Sequence, residues 1–227
     1  MPAQPIVILG GFLITAEAYE PLRLWLERHT GQPVQLVNAS RWDWLLTSFP
    51  QGWVRLLDRT AALVAQQALR SPTGRVTLIG HSSGGVMLRL FLSDISFQGR
   101  RYNGSALADT LVMLGSPHTA RRATPLRQWV DRELPGCACA ERVRYVSVAG
   151  SLSPREFSPT ARRLAPSSYR NICGDASAPG DGLVPVVSAL LAGSKPVTLE
   201  GVAHGGSFGP RWYGTPEVVA RWWPAAA

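Results

Sequence analysis

The residues best suited to chemistry gather around one serine. Gly80-His81-Ser82-Ser83-Gly84 follows the apolar run Val76-Thr77-Leu78-Ile79 and leads into Gly85-Val86-Met87-Leu88-Arg89-Leu90-Phe91-Leu92. The first run reads as a buried strand and the second as a helix, which puts Ser82 on the turn between them. A serine hydroxyl is a weak nucleophile unless a tight turn presents it beside a base. The flanking glycines allow that turn and let strand, helix and substrate pack closely. Downstream, an aspartate is offered twice, in Gly174-Asp175 and Gly180-Asp181, and a histidine twice, at His118 and His204. Ser82, Asp181 and His204 each stand just past an apolar, strand-like run, where loops at the carboxyl edge of a parallel sheet converge. His81 lies in the turn itself, too local to serve Ser82 as base, and His29 reads as a structural helix-end residue.

The elements that must position these residues alternate between strand and helix, the pattern of a parallel sheet covered on both faces. Strands are expected at Pro5–Leu9, Pro33–Val37, Val76–Ile79, Asp109–Leu114, Val143–Val148 and Val197–Leu199. Between them, Glu17–His29 and Trp53–Leu69 carry apolar residues at helical spacing, and Leu183–Leu191 reads as a further helix. Thr215 as N-cap, Pro216 at the first helical position and Glu217 in the first turn signal the last helix. Two stretches exceed a minimal core, 119–142 and 151–179, both rich in Pro, Ser and Arg. As loops at the sheet edge they are expected to serve as lid or pocket wall. Arg41-Trp42-Asp43-Trp44-Leu45-Leu46 is a third candidate wall, whose tryptophans would line an acyl pocket, touch a lipid surface or simply pack in the core.

These segments together resemble the α/β-hydrolase superfamily and, within it, the small lipase-like serine esterases. The resemblance rests on ILGGF at 8–12, LIGHSSGG at 78–85, LVMLGSPH at 111–118, GDGLVPVVSALL at 180–191 and LEGVAHGG at 199–206. LGSPH is similar to the LGTPH segment of many lipases and of the branch containing GPI-inositol deacylases, and DGLVPVVSA is similar to that branch's acid loop. The order Ser, Asp, His is that of these hydrolases. The resemblance implies an α/β-hydrolase fold with a mostly parallel central sheet and a catalytic Ser82-His204-Asp181 triad. It also implies an oxyanion hole built from the backbone N–H groups of Phe12 and Ser83. Asp181 is favoured over Asp175 because Asp-Gly-Leu-Val-Pro matches the acid loop, and His204 over His118 because His118 precedes the acid. The activity implied is hydrolysis of carboxylic esters, acyl lipids foremost, with a thioesterase, an acyltransferase or a non-catalytic ligand-binding relative as the alternatives. One departure is Gly10, where many relatives have His before Gly; that position shapes the loop and does not perform the chemistry.

Composition sets bounds on the rest. At 227 residues, 45% hydrophobic and 17% charged, the chain is expected to form one domain, 1–227, with a substantial core. No run of eighteen apolar residues occurs, and the first strand begins almost at once, so the expected location is cytoplasmic. The net charge of +8 comes almost entirely from scattered arginines, Lys195 being the only lysine. That pattern, with no nucleic-acid-binding motif, argues against a nucleic-acid partner. The expected partner is a small-molecule or lipid ester, with peripheral membrane contact through a basic rim or the tryptophans. Cys137 and Cys139 stand too close for an easy mutual bridge, a bond from either to Cys173 is left open, and no ligand spacing supports zinc. Gly80 to Gly85 lacks the Lys and Ser/Thr of a phosphate-binding loop, and no G-x-G-x-x-G follows the first strand. Neither a metal nor a cofactor is expected.

Overall fold

A computed structural model describes residues 4–226. Six strands form one sheet: β1 (Ile6–Leu9), β2 (Val34–Leu36), β3 (Val76–His81), β4 (Ala108–Leu114), β5 (Arg144–Ser151) and β6 (Lys195–Glu200). Their order across the sheet is β2-β1-β3-β4-β5-β6, and every neighbouring pair is parallel. Parallel neighbours need crossover connections, and the helices provide them. These are α1 (Glu20–Thr30), α2 (Arg41–Leu46), α3 (Pro50–Ala68), α4 (Ser83–Leu92), α5 (Pro125–Glu133), α6 (Pro159–Ile172), α7 (Val186–Ala189) and α8 (Pro216–Ala226).

Alternation along the strands builds two cores. Val7 and Leu9 of β1, with Leu78, Leu111 and Met113, face one side and pack with Leu56, Leu57 and Val64 of α3 and with α4. Ile6 and Ile8, with Ile79, Val112 and Leu114, face the other side and meet Leu22 and Leu26 of α1 and Val218 and Trp222 of α8. Because both faces are covered, β1 and β3 are buried at every position, and they read in sequence as continuous apolar runs rather than alternating ones. Each such buried Val, Leu or Ile contributes about 1.5–3 kcal/mol of transfer free energy. Among the described residues, no helix is long and apolar enough to cross a membrane.

Three expected helices differ in their bounds, Trp53–Leu69 by starting three residues early, at Pro50 of α3. The Glu17–His29 segment starts as a 3-10 turn, Ala16–Tyr19, and becomes α-helical only from Glu20, with Pro21 in the first turn. Proline there fits because it lacks only an N–H that would have no intrahelical acceptor. The Leu183–Leu191 helix shortens to α7, Val186–Ala189. Its first turn is pre-empted: the amides of Leu183 and Val184 donate to the Asp181 carboxylate, and Pro185 follows.

The chain leaves β1 to make β2 on one side, then crosses to make β3 on the other side of β1. Strand order therefore reverses between β1 and β3, and a crevice opens at their carboxyl ends. The Gly10-Gly11-Phe12 turn and Ser82 both lie there. The turn after β3 is closely packed: a Cβ on Gly84 would collide with the carbonyl oxygens of Leu9 and Gly10, backbone atoms that cannot step aside. Gly84→Ala should therefore lower stability by about 1–3 kcal/mol through overpacking, measurable as a reduced urea midpoint.

Candidate active site

Ser82 occupies the sharp corner between β3 and α4. Its backbone is at φ +52°, ψ −124°, a conformation that L-residues rarely adopt. Such strain is worth about 1–3 kcal/mol and persists only where the surroundings impose it. Here they do: the Ser82 N–H donates to the Leu114 carbonyl of β4, while its own carbonyl accepts from Gly85 as α4 begins. The hydroxyl is thereby held in the crevice, 3.0 Å from His204 Nε2.

His204 follows β6, as expected, but Asp181 does not stand just past a strand: a 3-10 turn and α6 separate it from the end of β5, and the chain returns to the sheet edge only after α6. His204 Nδ1 lies 2.8 Å from Asp181 Oδ2, and the His204 backbone N–H donates to the Asp181 carbonyl at 2.8 Å. A carboxylate only accepts, so Nδ1 carries the proton and Nε2 is left facing Ser82 as an acceptor. Asp181 is fully buried and receives three more donors: Leu183 N–H at 3.0 Å, Val184 N–H at 2.7 Å and the Tyr213 hydroxyl at 2.8 Å. Tyr213 also accepts from the Gly150 amide at 2.7 Å. Burial, and after it the charge of Asp181, push the Tyr213 hydroxyl well above its ordinary pKa, so it remains a donor. Asp175, the rival acid, is exposed and turned back on its own loop, accepting from the amide and hydroxyl of Ser177.

The rival histidines occupy other niches. His118 is buried beside Arg89, with Nδ1 3.5 Å from Arg89 Nη1. Burial first, and then the charges of Arg89 and Arg127, keep it neutral. His29 stacks on Trp25 at the end of α1, ring centroids 3.7 Å apart. The neighbour of the nucleophile, His81, has a role that the sequence did not reveal. Burial and the nearby His204 keep its ring neutral. Its Nε2 is 2.8 Å from the His204 carbonyl, which can only accept, so the proton sits on Nε2. The bare Nδ1 then accepts from the Tyr19 hydroxyl at 2.8 Å, and Tyr19 in turn accepts from the Gly11 amide at 2.8 Å. One continuous chain thus ties the turn after β1, the turn after β3 and the His204 loop together. Tyr19 and Tyr213 had no motif to mark them; long-range pairing alone gives them their function.

A cavity of about 360 Å³ opens at Ser82, with Phe12, Trp44, Val86, Met87 and Leu183 among its walls. The two long excursions contribute Thr124 and Arg127 from one and Ser168 and Ile172 from the other. The tryptophan pair of α2 divides: Trp44 is buried and lines the cavity, whereas Trp42 is 76% exposed and does not. Helical spacing explains the division, since residues two apart point to different sides. Trp53, expected only as part of a helical core stripe, is a wall of the same cavity. A capping box fixes α2: Ser40 and Asp43 bond reciprocally across its first turn. Burial opposes ionisation of Asp43, but bonds from Arg59 and Ser40 outweigh it and hold the carboxyl at about 2. Phe12 and Ser83 also border the cavity, and among the described residues neither backbone N–H has a protein acceptor. Cys137, Cys139 and Cys173 are all free thiols, and no group of three or more His, Cys, Asp and Glu side chains among the described residues is arranged to hold a metal ion.

No protein-family model matches this chain, and no curated protein matches it in sequence. Solved structures do match in shape. A ferulic-acid complex of Est1E from Butyrivibrio proteoclasticus superposes with a TM-score of 0.57 at 12% identity, covering 99% of this chain and 90% of that one. A hydrolase of the alpha/beta superfamily from Xanthomonas campestris pv. campestris gives 0.54 at 14% identity, covering 98% of this chain and 99% of the other. The chain has the α/β-hydrolase fold. A pyrethroid hydrolase from Sphingobium faniae JZ-2 shares it, with a TM-score of 0.50 at 15% identity and 98% of each chain covered. Within this α/β-hydrolase fold, the Tyr19–His81 link is testable by stability alone. Tyr19→Phe would leave the Gly11 N–H and His81 Nδ1 buried and unpartnered, each costing about 1–3 kcal/mol. Urea denaturation of this variant should show a loss of roughly 2 kcal/mol or more.

Proposed function

We propose that the protein is a serine hydrolase of carboxylic esters, acting through Ser82, His204 and Asp181 by way of an acyl-enzyme. The observation that carries this reading is the unbroken chain from Ser82 Oγ through both His204 nitrogens to a fully buried carboxylate, set on a strained turn. Ser82 Oγ attacks the ester carbonyl carbon while His204 Nε2 takes the hydroxyl proton. The carbonyl oxygen becomes an oxyanion and accepts from the Phe12 and Ser83 amides, the latter at the positive end of α4. As the carbon–oxygen ester bond breaks, His204 gives its proton to the leaving alkoxide, and the acyl group stays on Ser82. Water then attacks the acyl carbon, its proton passing to His204 and on to Ser82 Oγ as the acid leaves. Asp181 holds the His204 tautomer and stabilises the imidazolium formed in each half-reaction.

Est1E and the pyrethroid hydrolase, as their names describe them, are consistent with ester chemistry on this fold. Fold alone does not carry function, so the weight rests on the site. Acyl lipids are the substrate class that the sequence resemblance to lipase-like esterases implies. One observation favours a substrate of low solubility: Trp42, Phe49, Leu45 and Leu46, on or just after α2, are exposed large apolar residues next to the cavity-lining Thr47 and Ser48. The 119–142 and 151–179 segments act in this reading as walls of the acyl pocket within one domain.

A fluorophosphonate probe should label the protein once, at Ser82, and Ser82→Ala should abolish labelling while the chain stays folded. Asp181→Asn should lower kcat on a p-nitrophenyl ester by about 10⁴, as loss of a triad acid does. Asp175→Asn should cost far less. The opposite ranking would transfer the acid role to Asp175.

A further inference from the structure

Among the described residues, Arg127 is the one charged side chain on the wall of the Ser82 cavity. The side chain is half-buried, yet its guanidinium is thinly partnered. Nη2 donates to the Pro117 carbonyl at 2.9 Å, Nε is buried with no acceptor, and the side chain makes no ion pair among the described residues. Asp131, one helical turn along α5, is the acid that acts on it, but from beyond ion-pair distance. Asp131 acts in the same way on Arg89, and among the described residues neither guanidinium has a carboxylate within ion-pair distance. Arg127 sits in the first turn of α5, the positive end of the helix dipole, where acidic residues are favoured and none is present. Behind it, neutral His118 is flanked by the buried guanidinium of Arg89, which donates to the Leu134 carbonyl.

We infer that the cavity binds an anionic group of the substrate, a carboxylate, through Arg127. The inference rests on the ester-hydrolase reading and narrows it from acyl lipids in general to esters that also bear an acid group. A planar carboxylate fits the guanidinium fork, which still has donors to give, and its charge answers the positive end of α5. The remaining walls, Trp44, Val86, Met87, Ile172 and Leu183, are apolar and suit the hydrocarbon between the two polar ends.

The binding arm of the test uses Ser82→Ala, which cannot turn over its ligand. Monomethyl esters of succinic, glutaric and adipic acid are titrated by calorimetry against methyl esters of straight-chain acids of matching length. One of the acid-terminated esters should bind about ten- to hundredfold tighter than its neutral counterpart, the range of a charge-assisted hydrogen bond. Adding Arg127→Gln should collapse that ratio towards one, and Arg127→Lys should retain part of it. Equal binding of acid and neutral esters, or a ratio that survives Arg127→Gln, would overturn the inference and leave Arg127 as a brace for the Pro117 carbonyl. The kinetic arm gives the wild-type protein p-nitrophenyl butyrate and mono-p-nitrophenyl glutarate. Failure to hydrolyse either would count against the ester-hydrolase reading, while the binding ratio decides the carboxylate site independently.

Discussion

A buried carboxylate with no arginine or lysine against it is among the least favourable groups a protein interior can hold, and Asp181 is such a group. Four donors offset its desolvation: His204 Nδ1–H, the Tyr213 hydroxyl and two backbone amides. Each draws a different part of the fold into place. The two amides bend the chain after β5 and stop a helix from starting before Pro185. Tyr213, arriving from the segment before α8, is locked by the Gly150 amide at the end of β5. His204 is oriented by the same carboxylate that fixes its proton. Satisfying one charge thus assembles three loops, and the reactive geometry follows from that satisfaction.

The opposite side of the site depends on a neutral group. His81 cannot be charged where it sits, and its two nitrogens therefore play unlike parts, one donating to the His204 carbonyl and one accepting from Tyr19. The Gly11 amide completes the chain and places the next residue, Phe12, at the cavity. Displacing any member would disturb the nucleophile turn and the Phe12 amide together. This coupling explains how Ser82 keeps a backbone conformation that its own side chain disfavours: the strain is shared with two buried hydrogen-bond networks.

The sheet was legible in sequence because both its faces are covered. Central strands such as Val76–Ile79 become uniform apolar runs, and the bounds of all six strands were placed to within a few residues. Ser82 and His204 could be anticipated because each follows a strand, β3 and β6, whereas Asp181 lies well past β5, beyond α6, and was marked by the resemblance of its Gly-Asp-Gly-Leu-Val-Pro segment to an acid loop. What escaped were long-range contacts of residues that no motif marks. Tyr19 is 62 positions from His81, and Tyr213 is 32 from Asp181, with no local spacing to betray either contact. Helix ends escaped for a related reason, since side-chain bonds at Asp181 overrode the periodicity of 183–191. Trp42 and Trp44 looked equivalent as composition, and only the rotation of a short helix separates a surface ring from a cavity wall.

The two uncompensated charges of the site are treated unequally, and the inequality is informative. Asp181 lies wholly and Arg127 partly out of bulk water, where a bare ion costs several kcal/mol unless hydrogen bonds replace its hydration. Asp181 has every lone-pair direction engaged and nothing left to offer a ligand. Arg127 has one hydrogen bond from its fork, a helix terminus of the same sign at its back and an open cavity on its other side. A group satisfied by the protein serves the protein's own geometry. A group with donors to spare in a cavity beside a nucleophile is matched by an acceptor that enters, and the inferred carboxylate would bring into contact the negative charge that Asp131 supplies only from beyond ion-pair distance.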